Sequence, residues 1–263
     1  LKAAPLRFDL GDYETPKSPE ILIAGCGTGQ HSLRTASRFK DARVLAVDLS
    51  LSSLSYAERK TRELGVSNIE YAQADIMNLM SLDRQFDLIE SSGVLHHLGD
   101  PLSGWKVLVD LLRPGGLMKI GLYSETARQH IVAGRTIISD MGYTTSPEDI
   151  RQCRQDFITM AEDGNEVMTN ICIRGDFYSL SECRDLLFHV QEHRFTIPQI
   201  EDALNALKLK FLGFEFKNQT TIQEFKETHP NSSDLSPLAL WHAFEQQHQD
   251  TFIGMYQFWC RKI

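Results

Sequence analysis

No stretch of this chain approaches the ~20 consecutive apolar residues of a membrane span, so no helical span is expected. Cysteine is sparse and unpaired in its spacing. The five (Cys26, Cys153, Cys172, Cys183 and Cys260) are an odd number, which suits reduced thiols in the cytoplasm rather than a disulfide framework. There is no basic excess: 27 Lys and Arg against 35 Asp and Glu leave a net charge of -8 and a pI near 5.6. That balance argues against broad electrostatic capture of nucleic acid or of an anionic membrane, and leaves only a local basic patch open. The first residues carry Lys2, Arg7, Asp9, Asp12 and Glu14, which is no signal peptide. In a cytoplasmic protein the sequons at Asn218 and Asn231 carry little meaning. What is plentiful is apolar residues, at 42% of 263, enough for one large core or a core with a small appendage.

The most informative stretch is Ile21-Leu-Ile-Ala-Gly-Cys-Gly-Thr-Gly29. An apolar run of strand character feeds a glycine turn, and a helical pattern opens at Gln30. Glycines at 25, 27 and 29 allow a sharp turn and close approach of a ligand, because no Cβ intervenes. The following helix aims free N–H groups and its positive dipole end at that turn. This is a nucleotide-type cofactor site. A dinucleotide fingerprint, G-x-G-x-x-G, would need glycine where Gln30 stands. Asp48 closes a second strand, Arg43-Val-Leu-Ala-Val-Asp48, and its carboxylate suits two ribose hydroxyls in either kind of enzyme. Asp75 closes the third, Asn68 to Asp75, where an adenine amino group would meet it. Gln85 to Glu90 and Leu117 to Leu122 read as fourth and fifth strands, the latter entered by the sharp turn Leu112-Arg-Pro-Gly-Gly116.

Helices are expected over Gln30 to Lys40, Ser50 to Leu64 and Leu102 to Leu112, with Ser50 as a cap, Gly65 as a stop and Pro114 setting the last end. Alternating strands and helices imply a parallel sheet covered on both faces. Ligands bind such sheets beyond the carboxyl ends of the strands, where chain order reverses. The glycine turn, Asp48, Asp75 and Glu90-Ser91-Ser92 all fall on that edge.

At this point the residues carry a resemblance. ILIAGCGTG, LAVDLS, AQADI, FDLIESSGVLHHL and LLRPGGLMKIGLYS, in that order and spacing, resemble the class I S-adenosylmethionine-dependent methyltransferases over Pro19 to Ser124, with a weaker match from Phe195 to the end. The resemblance implies S-adenosylmethionine as cofactor, held by Gly25, Cys26, Gly27, Thr28, Gly29, Gln30, Asp48, Leu49, Asp75, Ile76 and Ser91. One departure stands out. The family usually has Asp or Glu two residues before the first glycine, and this chain has Ile23. The carboxylate that helps hold the cofactor's ammonium is missing there, and a backbone carbonyl near Glu90, or Asp12 or Glu14, is the expected replacement.

The expected fold is α/β: a Rossmann-like, seven-stranded, mostly parallel sheet with helices on both faces, an antiparallel C-terminal strand and a helical insertion after the fifth strand. It is read as one domain over 1–263, with core at 19–122 and 195–263, insertion at 123–194 and an N-terminal segment at 1–18. Ser146-Pro-Glu-Asp149, Ser179-Leu-Ser-Glu182 and Thr196-Ile-Pro-Gln199 are helix starts. Lys210 to Phe216 and Met255 to Arg261 alternate like the final strands, with a helix from Leu238 to Gln249 between them. The insertion is polar and poor in long apolar stripes, so it is expected to bury little apolar area and to act as a lid or acceptor-binding layer; a purely stabilising helical layer stays open.

Two histidine features remain. His189-Val-Gln-Glu-His193 spells H-x-x-E-H, and on a helix both histidines would share one face, at zinc-ligand spacing. No third ligand is evident and no metal is expected. A polar cluster facing the cleft, or histidines that bond locally, are the other readings. His96-His97 follows the fourth strand, beside the methyl group by the resemblance, with one of the pair in the cleft and the other structural. A general base is drawn from His96, Tyr123, His189 and His193. The motifs, with HVQEHRFT and MYQFW, also resemble bacterial methyltransferase domains joined to tetratricopeptide repeats and the catalytic domain of the rickettsial protein lysine methyltransferases. That resemblance implies a protein side chain such as lysine as acceptor, and a start at Leu1 inside a longer chain with an N-terminal repeat domain. A small-molecule acceptor and a non-catalytic cofactor-binding scaffold are the alternatives. Lysine predicts an open acidic groove, and a small molecule predicts an apolar pocket under the lid.

Overall fold

The structure, a computed structural model, describes residues 14, 16–189, 191–216, 219–230, 235 and 237–263. Asp12 and the sequons at Asn218 and Asn231 lie outside the described residues. Seven strands form one sheet: β1 (Glu20–Ala24), β2 (Arg43–Asp48), β3 (Ile69–Gln73), β4 (Phe86–Ser92), β5 (Leu112–Tyr123), β6 (Leu209–Phe214) and β7 (Met255–Lys262), in spatial order β3-β2-β1-β4-β5-β7-β6. The first five run parallel, whereas β7 pairs antiparallel with both β5 and β6. Chain order reverses between β1 and β4, which makes that junction the ligand crevice.

Alternation along each strand sends side chains to two cores. Leu22 and Ala24 of β1, with Ile89, Met118, Ile120 and Phe258, face α3 (Pro101–Leu111), α8 (Ile197–Ala206) and α10 (Leu238–Gln247). Ile21 and Ile23, with Leu88, Leu117 and Trp259, face α1 (Gln30–Arg38) and α2 (Leu51–Glu63). Each such side chain is worth ~1.5–3 kcal/mol when fully buried, so slipping a central strand by one residue would be prohibitive.

Capping explains the helix starts. Ser50, Asp100, Ser146 and Asn165 each accept a backbone N–H from the first turn of the helix that follows. Thr196 and Gln199 form a reciprocal pair at α8. One expected repeat is incomplete: β3 is followed by a 3-10 turn, Ile76–Ser81, capped by Asp75, and not by a full helix.

Between β5 and α8 the insertion folds as α4 (Gln129–Met141), α5 (Pro147–Glu162), α6 (Glu166–Cys172) and α7 (Leu180–Leu187). The expectation that it buries little apolar area is overturned. Ile131, Ile150, Phe157, Met168, Ile171 and Phe177, all fully buried, build a separate core with Cys153, Cys183 and Leu187. The stripes are split among four short helices, so no one of them reads as strongly apolar. A second correction concerns His189-Val-Gln-Glu-His193. The helix α7 stops at Leu187, so the two histidines do not share a helical face. A remaining helix, α9 (Gln219–Thr228), packs Phe225 into the main core.

Candidate active site

The glycine turn sits at the carboxyl end of β1, tied to β2 by the Gly25 and Cys26 N–H groups, both donating to the Val47 carbonyl at 2.8 and 2.9 Å. All three glycines have positive φ, and a Cβ would affect each differently. At Gly25 it would stand 2.2 Å from Val94, and at Gly29 2.5 Å from Ala57, so those two are packed shut. At Gly27 it would meet nothing within 4 Å. The turn therefore opens at its middle glycine, and a ligand approaching there meets bare backbone. No side chain caps α1, whose first-turn N–H groups face the same opening.

Asp48 ends β2 with its two oxygens on different donors: Oδ2 accepts from Gly27 N at 2.7 Å and Oδ1 from Ser50 N at 2.9 Å. An ionised carboxylate has about four acceptor positions, so each oxygen keeps capacity for a hydroxyl. Asp75 accepts from Met77 N at 2.9 Å while capping its 3-10 turn. Leu49 is 63% and Met77 43% exposed, an apolar pair beside these carboxylates that a flat heteroaromatic ring would cover. Ile76, by contrast, points into the core and offers only backbone, and Ser91 is likewise buried with its hydroxyl unpartnered. Thr28 and Gln30 are exposed at the turn. Burial, more than the Asp48 charge, pushes the Cys26 thiol up to about 12, so it stays protonated and serves only as a small side chain.

Beyond β4 the rings stack. The buried His96 ring lies 3.6 Å from Tyr123, and His97 lies 4.0 Å from His189. His96 Nδ1 accepts the Tyr123 backbone N–H at 3.3 Å and Nε2 is unpartnered. Burial, helped by the cationic neighbours, pushes its pKa down to about 2, so it stays neutral at any physiological pH. Burial also holds Tyr123 above and His97 below their usual ranges. His193 joins this group through its backbone, donating its N–H to the His96 carbonyl at 2.8 Å. Among the described residues no cluster of three His, Cys, Asp or Glu side chains is placed to hold a metal ion.

Cations ring the far side. The Arg128 guanidinium lies 3.7 Å over the Tyr123 ring and makes a two-pronged contact with buried Glu192, at 3.1 and 2.8 Å, which Arg135 shares at 2.8 Å. Arg174 differs. Its Nε donates to His130 Nε2 at 2.9 Å and its Nη1 to the Ile253 carbonyl at 3.4 Å, and among the described residues no carboxylate is within ion-pair distance. Accepting that bond fixes His130 as neutral, and burial followed by the Arg174 charge pushes its pKa down to about 4. Arg174 touches the edge of the sheet: a Cβ on Gly254 would stand 3.4 Å from its Nη1, while Met255 reaches Ser92 at 3.6 Å. A separate apolar cavity of about 360 Å³, lined by Leu95, Trp105, Leu122, Phe195 and Ala203, lies between α3 and α8 and not beneath the insertion.

Three signals escaped sequence reading: Met77, Arg174, and the pairing of the Glu90 side chain with His31. All three depend on which face or edge a residue reaches.

Comparison with known proteins agrees with this geometry. Residues 21–116 match the family described as a methyltransferase domain. An uncharacterized protein of Synechococcus is 38% identical over 214 residues, 76% of this chain and 49% of that one. The putative methyltransferase YqeM of Bacillus subtilis is 26% identical over 222 residues, covering 82% of this chain and 81% of its own. Among solved structures, PKMT2 from Rickettsia typhi in complex with AdoHcy superposes over 94% of this chain and 49% of its own, with a TM-score of 0.71 at 16% identity, which shows a shared fold. The chain thus spans about half the length of the Synechococcus relative and of PKMT2.

Proposed function

Because this chain carries a class I S-adenosylmethionine-dependent methyltransferase domain, with S-adenosylmethionine as its cofactor, we propose that it methylates an acceptor bearing a carboxylate or phosphate that docks on Arg174. The observation that carries this reading is the half-buried Arg174 guanidinium, with no carboxylate of the described residues within ion-pair distance and Asp176 and Asp250 only at longer range, placed at the edge where β4 and β5 end and β7 begins. Burial holds it somewhat below the usual guanidinium range, yet it stays charged. A charge so placed favours an anion over water.

The open face at Gly27, the spare acceptor positions on Asp48 and the apolar pair Leu49 and Met77 fit the cofactor. When bound, S-adenosylmethionine supplies a methyl group already activated on a sulfonium, so what the chain must supply is alignment, which can be worth ~7–11 kcal/mol. His96 and His130 are both held neutral and poorly basic, and Tyr123 is held protonated, so none of them removes a proton near pH 7. A carboxylate oxygen needs no base.

Lysine is the second reading, and one observation favours it: Arg174 and Arg128 beside the acceptor would lower an amine's pKa and leave it neutral without a base. The acidic groove expected for an incoming lysine cation is not what Arg128, Arg174, His97 and His189 build. Incubating labelled S-adenosylmethionine with cell lysate distinguishes the readings. Label in an anionic small-molecule fraction, with Arg174→Met raising the acceptor KM at least tenfold and leaving S-adenosylhomocysteine affinity unchanged, is the expected result. Base-stable label on protein lysine would overturn the anionic reading in favour of lysine, and no label anywhere would favour a binding scaffold.

A further inference from the structure

Among the carboxylates that end the strands, Glu90 is the one whose surroundings are unfinished. Asp48 is engaged by Gly27 N and Ser50 N, and Asp75 by Met77 N. Lys119, the neighbour of Glu90 on β5, is committed to Glu215 at 2.8 Å. Glu90 itself is buried, with its side chain 6% exposed, and its Oε2 meets only His31 Nε2, from the first turn of α1. Its other oxygen takes no hydrogen bond from the described residues and is open to an incoming donor. A buried carboxylate met by one imidazole and by no lysine or arginine is incompletely compensated.

The register shows what that vacancy suits. Ile23 of β1, Glu90 of β4 and Lys119 of β5 lie side by side. Ile23 packs in the core beneath α1, so Glu90 shares that face, one strand over from the glycine turn. His31 lies two residues beyond Gly29, so the Glu90–His31 pair sits at the first turn of the helix that the glycine turn feeds. Resting on the cofactor reading above, we propose that Glu90, oriented by His31, binds the ammonium of the cofactor's amino-acid end. The acid has moved from the strand that carries the turn to its neighbour, and Ile23 is tolerated because the carboxylate beside it in register does the work. A primary ammonium offers three donors, enough for the free Glu90 oxygen and two further acceptors. Glu14, the other replacement among the described residues, is exposed on the approach to β1.

The test uses two ligands that share adenosine and the thioether and differ in the amino-acid end: S-adenosylhomocysteine and 5′-methylthioadenosine. Glu90→Gln keeps the shape and removes the charge. In calorimetry it weakens S-adenosylhomocysteine by roughly ten- to a hundredfold and leaves 5′-methylthioadenosine within about twofold. Adding Ile23→Glu to Glu90→Gln restores part of the lost affinity for the first ligand only. Equal weakening of both ligands, or S-adenosylhomocysteine within twofold of wild type, overturns the assignment. Should Glu90→Gln lose the native circular dichroism, Glu90→Asp, which withdraws the same charge by one methylene, must show the same selectivity or the assignment falls. Wild-type protein that binds neither ligand would overturn the cofactor reading itself, a result distinct from any of these.

Discussion

Removing the carboxylate of Glu192 tests how the insertion is held. The Glu192 side chain is 1% exposed, and three hydrogen bonds reach it: two from Arg128, whose side chain is 3% exposed, and one from Arg135. In Glu192→Ala the Arg128 charge stays buried with no counter-charge, because its other neighbours are the Tyr123 ring and the cationic Arg174. Breaking a buried pair from one side costs ~3–5 kcal/mol, most of it the uncompensated charge. At ~2–4 °C per kcal/mol for a chain of this size, the midpoint falls by roughly 6–20 °C. Urea denaturation at pH 7 reads the difference directly, and an unchanged slope shows that stability and not compactness has changed. Arg128→Met combined with Glu192→Met should cost less than the sum of the single changes by at least ~1 kcal/mol, since the most deeply buried charge leaves with its partner and only the more exposed Arg135 loses its carboxylate. A loss below ~1 kcal/mol for Glu192→Ala, or an additive cycle, would refute the reasoning and place Arg128 in solvent once its partner is gone.

Four further outcomes are expected. His96 is held neutral, with a pKa near 2 against 6.5 when unfolded, so below pH 6.5 the unfolded chain takes up a proton that the native chain refuses. Stability is then full above pH 6.5 and falls by ~1.4 kcal/mol per pH unit below it, and His96→Asn reduces the slope of that fall between pH 6.5 and 4 by about one proton, read by urea titrations at several pH values. Asp48→Ala orphans Gly27 N and Ser50 N and removes the hydroxyl acceptors, at ~1–3 kcal/mol, so S-adenosylhomocysteine binds roughly ten- to a hundredfold more weakly; unchanged affinity would show that the end of β2 is not in the site. Wild-type protein gives binding heat with S-adenosylhomocysteine and none with NAD, and the reverse would sink the cofactor reading. In hydrogen exchange the amides around Ile131, Phe157 and Met168 are protected with or without S-adenosylhomocysteine, and new protection is confined to 25–29, 48–50 and 75–77; protection gained across α4 to α7 would return the insertion to a lid that orders on binding.

Local chemistry was legible in the sequence wherever one turn decides. Ser50, Ser146 and Thr196 announced their helices because each accepts an N–H three residues ahead. The first helix of the insertion gave no such sign, since it follows Arg128, whose side chain caps nothing and is spent on Glu192. His189 to His193 misled for a related reason: spacing alone suggested a helix, whereas α7 stops at Leu187 and His193 N–H bonds the His96 carbonyl in the turn after β4. The glycine turn, Asp48 and Asp75 lie at the carboxyl ends of β1, β2 and β3, as their strands implied. Ile76 and Ser91 were adjacent to the site by sequence and are buried, Ile76 by the 3-10 turn it opens and Ser91 by alternation along β4. Glu90 was placed on the ligand edge and beside a backbone carbonyl, but its side chain was given no role, because its register with Ile23 is not visible in either strand alone.

The two ends of the insertion leave the sheet side by side. Ser124 and Phe195 form a parallel bridge, Glu125 N–H donates to the Phe195 carbonyl at 2.8 Å, and Phe195 N–H donates to the Tyr123 carbonyl at 2.9 Å. To the sheet, then, seventy residues amount to a hairpin-width gap in the chain. With a hydrophobic centre of its own, the inserted piece can be exchanged like a tool in a fixed handle. Drift in α4 to α7 can retune what reaches Arg174 without disturbing Gly27, Asp48 or Asp75, and a transplant cut between 124 and 195 would carry that choice with it.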